Sequence, residues 1–569
     1  MKLILSAYLR TLKERDEFDA LLPDLLLSMG IIPLSKPQTG TRQFGVDLSA
    51  VGVDKDGIEK LFLFVLKKGD IGRRIWNGEG PQCVEPSLDE IFNVYLRSHV
   101  PQKHGKHPVK IVLGTTGDLK EEVQPNWAGY TERKKGEAEF DFWGADELAV
   151  LIERHLLDEH LFQSDDRTDL RRVLALVGEP DYSLVDFHKL LLRQLGLNVD
   201  GELLDNKIST PVLVKALTRA NLTARIVSGW ASNDGDTKIA LKAAERTLLW
   251  SWWRISKAPE KDQKKLTEEF YRLIDTYVAT SMAYLQKIEL HSQVQDGFSG
   301  YTSESSVLSL TVFEHIGLVA SIGLAAIYFS EAPNEPTSII DMDQVSRILL
   351  GIITKNPVSG SPALDSNTIE VSLALSYLML AGHYSEAKEW LGEIIGRIDY
   401  SYKVMRNFPI GTDSLDDLVE LVFGKPEEDR IKELMATSWL LPTLAGWSVI
   451  LEEEGWYKRV VSGQKSEAYP EVCSQLWHPL KEDFFGHLYF HQAQYECGET
   501  EAPIKFPDEI AAYQKHMEAI LASERHEVVE SSPAFHENLY GLDLIAMRHF
   551  KTPVPSNFWY RFLNMQAHP

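Results

Sequence analysis

Strand signals in this 569-residue chain end near Phe162, and that asymmetry limits the folds open to it. Upstream, period-two and β-branched runs alternate with helical ones; downstream the helical period dominates. A chain of this length exceeds one hydrophobic core and predicts two to four domains. The expected architecture is α/β followed by all-α. A mixed sheet flanked by helices is predicted over residues 1–162, and a large irregular helical region over 163–569, with a sub-boundary near 331–366.

In the first part, Phe18, Leu21, Leu22, Leu25 and Met29 recur on one helical face, with Pro23 as a kink. Residues 44–53 and 60–67 read as strands joined through "DKDG", a hairpin turn signal. Ser87, with Glu90 three residues later, reads as a capping box that opens a helix. "VKIVLGT" predicts a buried strand, "DLKEEVQPNWAGY" begins as a helix, "AEFDFWG" is a strand and "ADELAVLIERHLL" an amphipathic helix. The predicted order is helix, hairpin, helix, strand, helix, strand, helix. In the second part, "ALSYLMLAGHYSEAKEWLGEII" resembles one tetratricopeptide-like hairpin in which Ala374, Gly382, Tyr384 and Ala387 lock two helices. No second copy follows at that period, so a regular array is not predicted.

Three cysteines (Cys83, Cys473, Cys497) fit a reducing cytoplasm better than a disulfide framework. The start, "MKLILSAYLR", reaches Arg10 before an apolar leader core forms, which argues against a signal peptide. The longest uncharged run, residues 316–330, is shorter than the ~20 residues of a membrane span and reads as a buried helix. A cytoplasmic protein without membrane association is expected. The net charge of −24 excludes passive coating of nucleic acid. That charge is uneven: residues 1–170 hold 22 Lys+Arg against 29 Asp+Glu, a net of −7, which leaves −17 for the remainder. Lys67, Lys68, Arg73 and Arg74, then Lys103, Lys106 and Lys110, predict a basic rim able to track phosphates.

Three segments carry a resemblance: "RQFGVDLSAV", "FVLK" and "KIVLGTTGDL…FDFWGADELAVLI". In this order they resemble the PD-(D/E)XK restriction-endonuclease-like superfamily, and within it the Mrr-like restriction endonucleases, over residues 10–160. The resemblance implies metal-dependent phosphodiester hydrolysis. Mg²⁺ or Mn²⁺ would neutralise phosphate oxygens and activate a water, held by hard carboxylate oxygens. Asp47 would be the first acid and Lys67 the lysine that meets developing charge. A register setting Val65 opposite Asp47 would bring Asp47, Val65 and Lys67 to one surface. Val65 stands where the family places a second acid. Glu17, on the edge of the first helix's apolar face, is the predicted replacement as catalytic and metal-binding residue, with Glu14 as the fallback.

Elsewhere, His487 and His491 are four apart, but no HExxH or CxxC supports zinc, and they read as ordinary histidines. Trp250, Trp252 and Trp253 in "WSWWRI" read as core. No phosphate-binding Gly-rich motif occurs, so an energy-driven step would need another subunit. The expected function is an endonuclease fused to a helical sensor, as in a bacterial anti-phage effector. Its expected partners are DNA, a protein such as an NTPase on the helical part, and a second copy. The competing expectation is a nuclease fold that no longer cuts and serves as a nucleic-acid or protein scaffold.

Overall fold

Residues 61–66, "LFLFVL", are apolar without interruption, and a strand apolar on both faces must be covered on both. The computed structural model realises this as the centre of a five-stranded sheet: β1 (Ile32–Pro33), β2 (Leu48–Val53), β3 (Glu59–Lys67), β4 (Val109–Thr115) and β5 (Glu139–Trp143), in that spatial order. β1 and β3 run antiparallel to β2, whereas β3, β4 and β5 are parallel to one another. One face of β3 (Leu61, Leu63, Val65) packs against Val84, Leu88 and Ile91 of the helical segment that follows. On the other face Phe64 meets Trp143 with ring centroids 5.4 Å apart, and Phe18 covers the Leu66–Gly114 pair.

The structure describes the chain except residues 1–4, 7–8, 11–17, 35–43, 79–82, 101, 157–163, 180–181, 206–207, 302–303, 331–339, 406–408, 413, 466–471, 481–483, 491–497, 524–527, 529 and 565–569. It is a mixed α/β protein, 66% helical, with the small mixed sheet in the N-terminal region and a large helical part. Two compact units divide it: Met1–Gln194 with Ile208–Ala243, and Leu195–Lys207 with Ala244–Pro569. The expected division at 162 follows the end of the sheet layer. The unit that holds the sheet runs further, taking in the helices Ser164–Leu176 and Thr210–Asn233.

Several local expectations are corrected. β2 begins at Leu48 rather than residue 44, because Phe44 and Gly45 both adopt positive φ. Ser87 caps nothing: the helix starts at Val84, and the Ser87 hydroxyl donates to the Cys83 carbonyl from inside it. Leu119 forms a bridge with Ile71 and residues 121–123 a turn, and the helix after β4 is Gln124–Lys134, with Pro125 in its first turn. β1, only two residues long, carried no pattern to be read.

In the second unit, the sheet pieces among the described residues are two-stranded ribbons: Thr437–Ser438 with Cys473–Ser474, and Leu476–Pro479 with Gly498–Glu501. The uncharged run 316–330 belongs to a longer helix, Ser305–Ser330, whose 26 residues are long and apolar enough to cross a membrane. Two-thirds of its most apolar window is nevertheless buried inside the protein (67%), as a core helix would be. Thr368–Leu380 and Tyr384–Tyr400 form the expected helical hairpin about Gly382, which has φ +80°. Ala374 and Ala387 are buried in it, whereas Tyr384 is 39% exposed.

Candidate functional site at the carboxyl ends of the parallel strands

The β2–β3 hairpin sets the position of Asp47. Asp54 N–H donates to Ile58 O at 2.9 Å, so alternate residues from there form the hydrogen-bonded pairs, ending with Leu48 and Phe64. Asp47 N–H also donates to Phe64 O at 2.9 Å. Two successive residues facing one partner make a β-bulge. The next rung would use Leu66 N–H, and that donor goes to Asp47 Oδ2 at 2.7 Å. The Asp47 carboxylate therefore stands in for a backbone carbonyl at the end of the ladder. Val46, displaced by the bulge, joins Val65 in the core. The simple register expected from the sequence, with Asp47 opposite Val65, is thus altered at its last step.

Gly45 makes the bulge possible. Its φ is +82°, and a Cβ there would lie 2.1 Å from Ser87 O. Val65 is fully buried. Lys67 ends β3 half-buried, paired in parallel with Thr115. Beyond it the loops leaving β3 and β4 are tied together. Gly69 N–H donates to Thr116 Oγ1 at 2.9 Å, and Asp118 N–H donates to Asp70 Oδ1 at 3.0 Å. Arg10 reaches both Asp70 and Asp118 from the N-terminal helical segment. Glu17 and Glu14 lie outside the described residues.

The basic residues do not form one rim. Lys68, Arg73 and Arg74 are exposed beside the carboxyl end of β3, with Arg73 Nε 3.7 Å from Glu122. Lys103 and Lys106 are exposed in the loop that enters β4. Because Leu61 pairs with Val109 and Lys67 with Thr115, the two groups sit at opposite ends of the parallel strands, roughly 20 Å apart along them. Lys110 faces neither: it is buried and bonded to Asp54 and Asp141.

That buried lysine belongs to a cluster the sequence reading missed. The ligand oxygens of Asp54, Asp56 and Glu139 lie within 4.8 Å of one another, so this acidic group could hold a metal ion. The cation among them is Lys60 Nζ, at 2.8 Å from Asp54, 2.5 Å from Asp56 and 2.7 Å from Glu139. Burial works to raise the Asp54 pKa, but bonds from Lys60, the Lys55 N–H and Lys110 outweigh it and hold it at about 2. Burial likewise disfavours the Lys60 charge, and the three carboxylates more than restore it. A signal was present: Lys60 and Lys110 fall in otherwise apolar strands, where a lysine needs acids, and "DKD" supplies them.

The fit to a divalent ion at Asp47 is incomplete. Among the described residues, no group of three or more metal-capable side chains includes Asp47. One carboxylate, with an oxygen already bonded to Leu66 N–H, falls short of the oxygen set such ions take. Of the other candidates, Trp250, Trp252 and Trp253 are buried as expected, against Phe490, Phe270 and Tyr489. His491 and Cys497 lie outside the described residues. In comparisons with known proteins, no family model, curated protein or solved structure matches the chain.

Proposed function

We propose that the N-terminal unit is a restriction-endonuclease-like domain that engages nucleic-acid phosphate at the carboxyl ends of β3 and β4 and hydrolyses phosphodiester bonds. One observation supports this most: the Asp47 carboxylate is held against Leu66 N–H, one residue before Lys67, where open α/β sheets bind ligands. Lys67 meets charge that develops on the phosphoryl group, and exposed Lys68, Arg73 and Arg74 supply the electrostatic approach. Mg²⁺ or Mn²⁺ would be held by Asp47 together with Glu17, and the proposal depends on Glu17 completing that pair. The helical unit then serves as a sensor engaged by a protein partner, which fits an anti-phage effector.

A second proposal has its own support. Val65 is fully buried, and Asp47 already does structural work as a ladder acceptor. Both features suit a nuclease fold kept as a nucleic-acid or protein scaffold. Asp47→Asn separates the two, since the amide oxygen still accepts from Leu66 N–H while the charge is lost. Purified full-length protein is incubated with single- and double-stranded DNA and RNA in Mg²⁺ or Mn²⁺. The nuclease proposal expects cleavage that Asp47→Asn abolishes and Lys67→Ala strongly reduces. Cleavage that persists undiminished in Asp47→Asn overturns it at this site. Binding without cleavage under either metal, equal in parent and Asp47→Asn, supports the scaffold.

A further inference from the structure

The second unit carries an exposed apolar face on a short helix. The helix Leu415–Val419 is opened by Ser414, whose hydroxyl accepts from Asp417 N–H at 3.1 Å, and continues through a wider π turn, Glu420–Gly424. Leu418 and Leu421 point inward, into a small core with Ala363, Leu364, Ile410 and Leu434. Leu415, Val419 and Phe423 point the other way and are 61%, 54% and 63% exposed. In an uninterrupted α-helix, residues eight apart drift around the axis. The wider turn takes up that drift, so the three side chains stay in line over about two turns. Lys425 then stops the helix in the left-handed conformation, with φ +51°.

The surroundings specify the charge of what would cover this stripe. Residues 411–434 hold eight Asp+Glu against three Lys+Arg, a net of −5. Two of those cations are already engaged: Arg430 by Asp417, Glu420 and Glu433, and Lys432 by Glu428 and Asp429. Asp416 beside Leu415, and Glu427 after the stop, are exposed. An apolar row of i, i+4, i+8 spacing with an acidic margin is the complement of a helix that is apolar on one side and basic on its flanks.

We propose that the Leu415–Val419–Phe423 stripe is the docking site for a basic amphipathic helix of a partner protein. The interaction is independent of whether the N-terminal unit cuts nucleic acid. Apolar side chains set the register, and Asp416 and Glu427 choose a cationic partner over an anionic one.

The test uses full-length protein and a fluorescein-labelled 14-residue helix of Leu and Lys, read by anisotropy. Saturable binding is expected, weakened by salt and by at least about tenfold in Val419→Ser/Phe423→Ser, as for central apolar anchors. Asp416→Lys/Glu427→Lys weakens it as well, and the matching Leu/Glu peptide does not bind. These side chains are exposed, so thermal melts of the variants should match the parent, and Leu290→Ser, an exposed leucine outside the stripe, serves as the control. Binding unchanged by the stripe variants overturns the proposal, as does equal binding of the Leu/Glu peptide. A concentration-dependent dimer abolished by the same variants also overturns it, by showing that a second copy covers the face. Binding to phosphatidylcholine vesicles lost in those variants would assign the face to a membrane and overturn it too.

Discussion

Replacing Lys60 by methionine removes the ammonium at the centre of the carboxylate cage while keeping the stem that fills the strand. The Lys60 side chain is 1% exposed, and that of Asp54 10%. Asp54 is held at about 2 against an ordinary 3.8, so its charge is favoured in the folded state. The sign follows from the depressed value: the contribution is present above pH 4 and is lost as the pH falls through about 2. The shift corresponds to about 2 kcal/mol. Solvent reaches part of the cage and Lys110 remains 3.1 Å from Asp54, so a loss of about 1–2 kcal/mol is expected. Because two units need not unfold together, the appropriate readout is local hydrogen exchange in peptides covering β2 and β3. Lys60→Met should speed exchange there by roughly 5- to 30-fold at pH 7. The difference from the parent should narrow as the pH falls through about 2 and close below it, as Asp54 becomes protonated in both. Exchange within about twofold of the parent at pH 7 would refute the claim that this lysine holds the hairpin.

Three further outcomes are expected. Val65→Glu places a carboxylate in a fully buried position and should cost at least about 3 kcal/mol by thermal melting; recovery of stability on adding Mg²⁺ would instead mark the position as a metal ligand. Arg548→Met leaves Glu245, fully buried and also bonded to His549 Nδ1 at 2.9 Å, without its guanidinium, and should destabilise the helical unit by about 3–5 kcal/mol in urea; a loss under about 1 kcal/mol would contradict this. Burial pushes Asp543 up to about 7, against bonds from Ser532 and Tyr489 that favour its charge. A carboxyl raised in the folded state loses stability as the pH climbs from about 4 to 7, so Asp543→Asn should gain about 2 kcal/mol at pH 8 and progressively less toward pH 4. Equal melting shifts at both pH values would disprove that assignment.

The hairpin, β4, β5 and the helical remainder were legible because each rests on local periodicity: "DKDG" between apolar runs, and "VKIVLGT" ended by a glycine. The boundaries that failed depend on partners distant in sequence. Ser87 looked like a cap because the three residues after it fit the pattern, yet the helix already runs from Val84. The placement of Asp47 was half legible. The strand it precedes and that strand's partner, β3, were right, but Asp47 itself sits in a bulge before β2, where Gly45 packs against Ser87, more than forty positions away. The single basic rim failed for a similar reason: parallel strands send consecutive loops to opposite ends of a sheet, which charge counting along the chain does not register. The cage around Lys60 joins residues 54 to 139 and needs strand order to be seen.

The junction between the loops after β3 and β4 bears on how this edge can change over generations. A Cβ at Gly117 would lie 2.3 Å from the Gly69 carbonyl carbon, and Ile71 and Leu119 pair just beyond. Loops at the carboxyl ends of parallel strands ordinarily diversify by growing and shrinking, which is how one scaffold acquires new specificities. Here neither loop can lengthen alone, since one inserted residue would drive backbone into backbone or break the Ile71–Leu119 pair. Drift at this edge is therefore confined to exchange of side chains at fixed length. In diverged copies of the chain, Lys67, Lys68, Asp70 and Asp118 should vary in identity long before the four-residue spacing from Lys67 to Ile71 does.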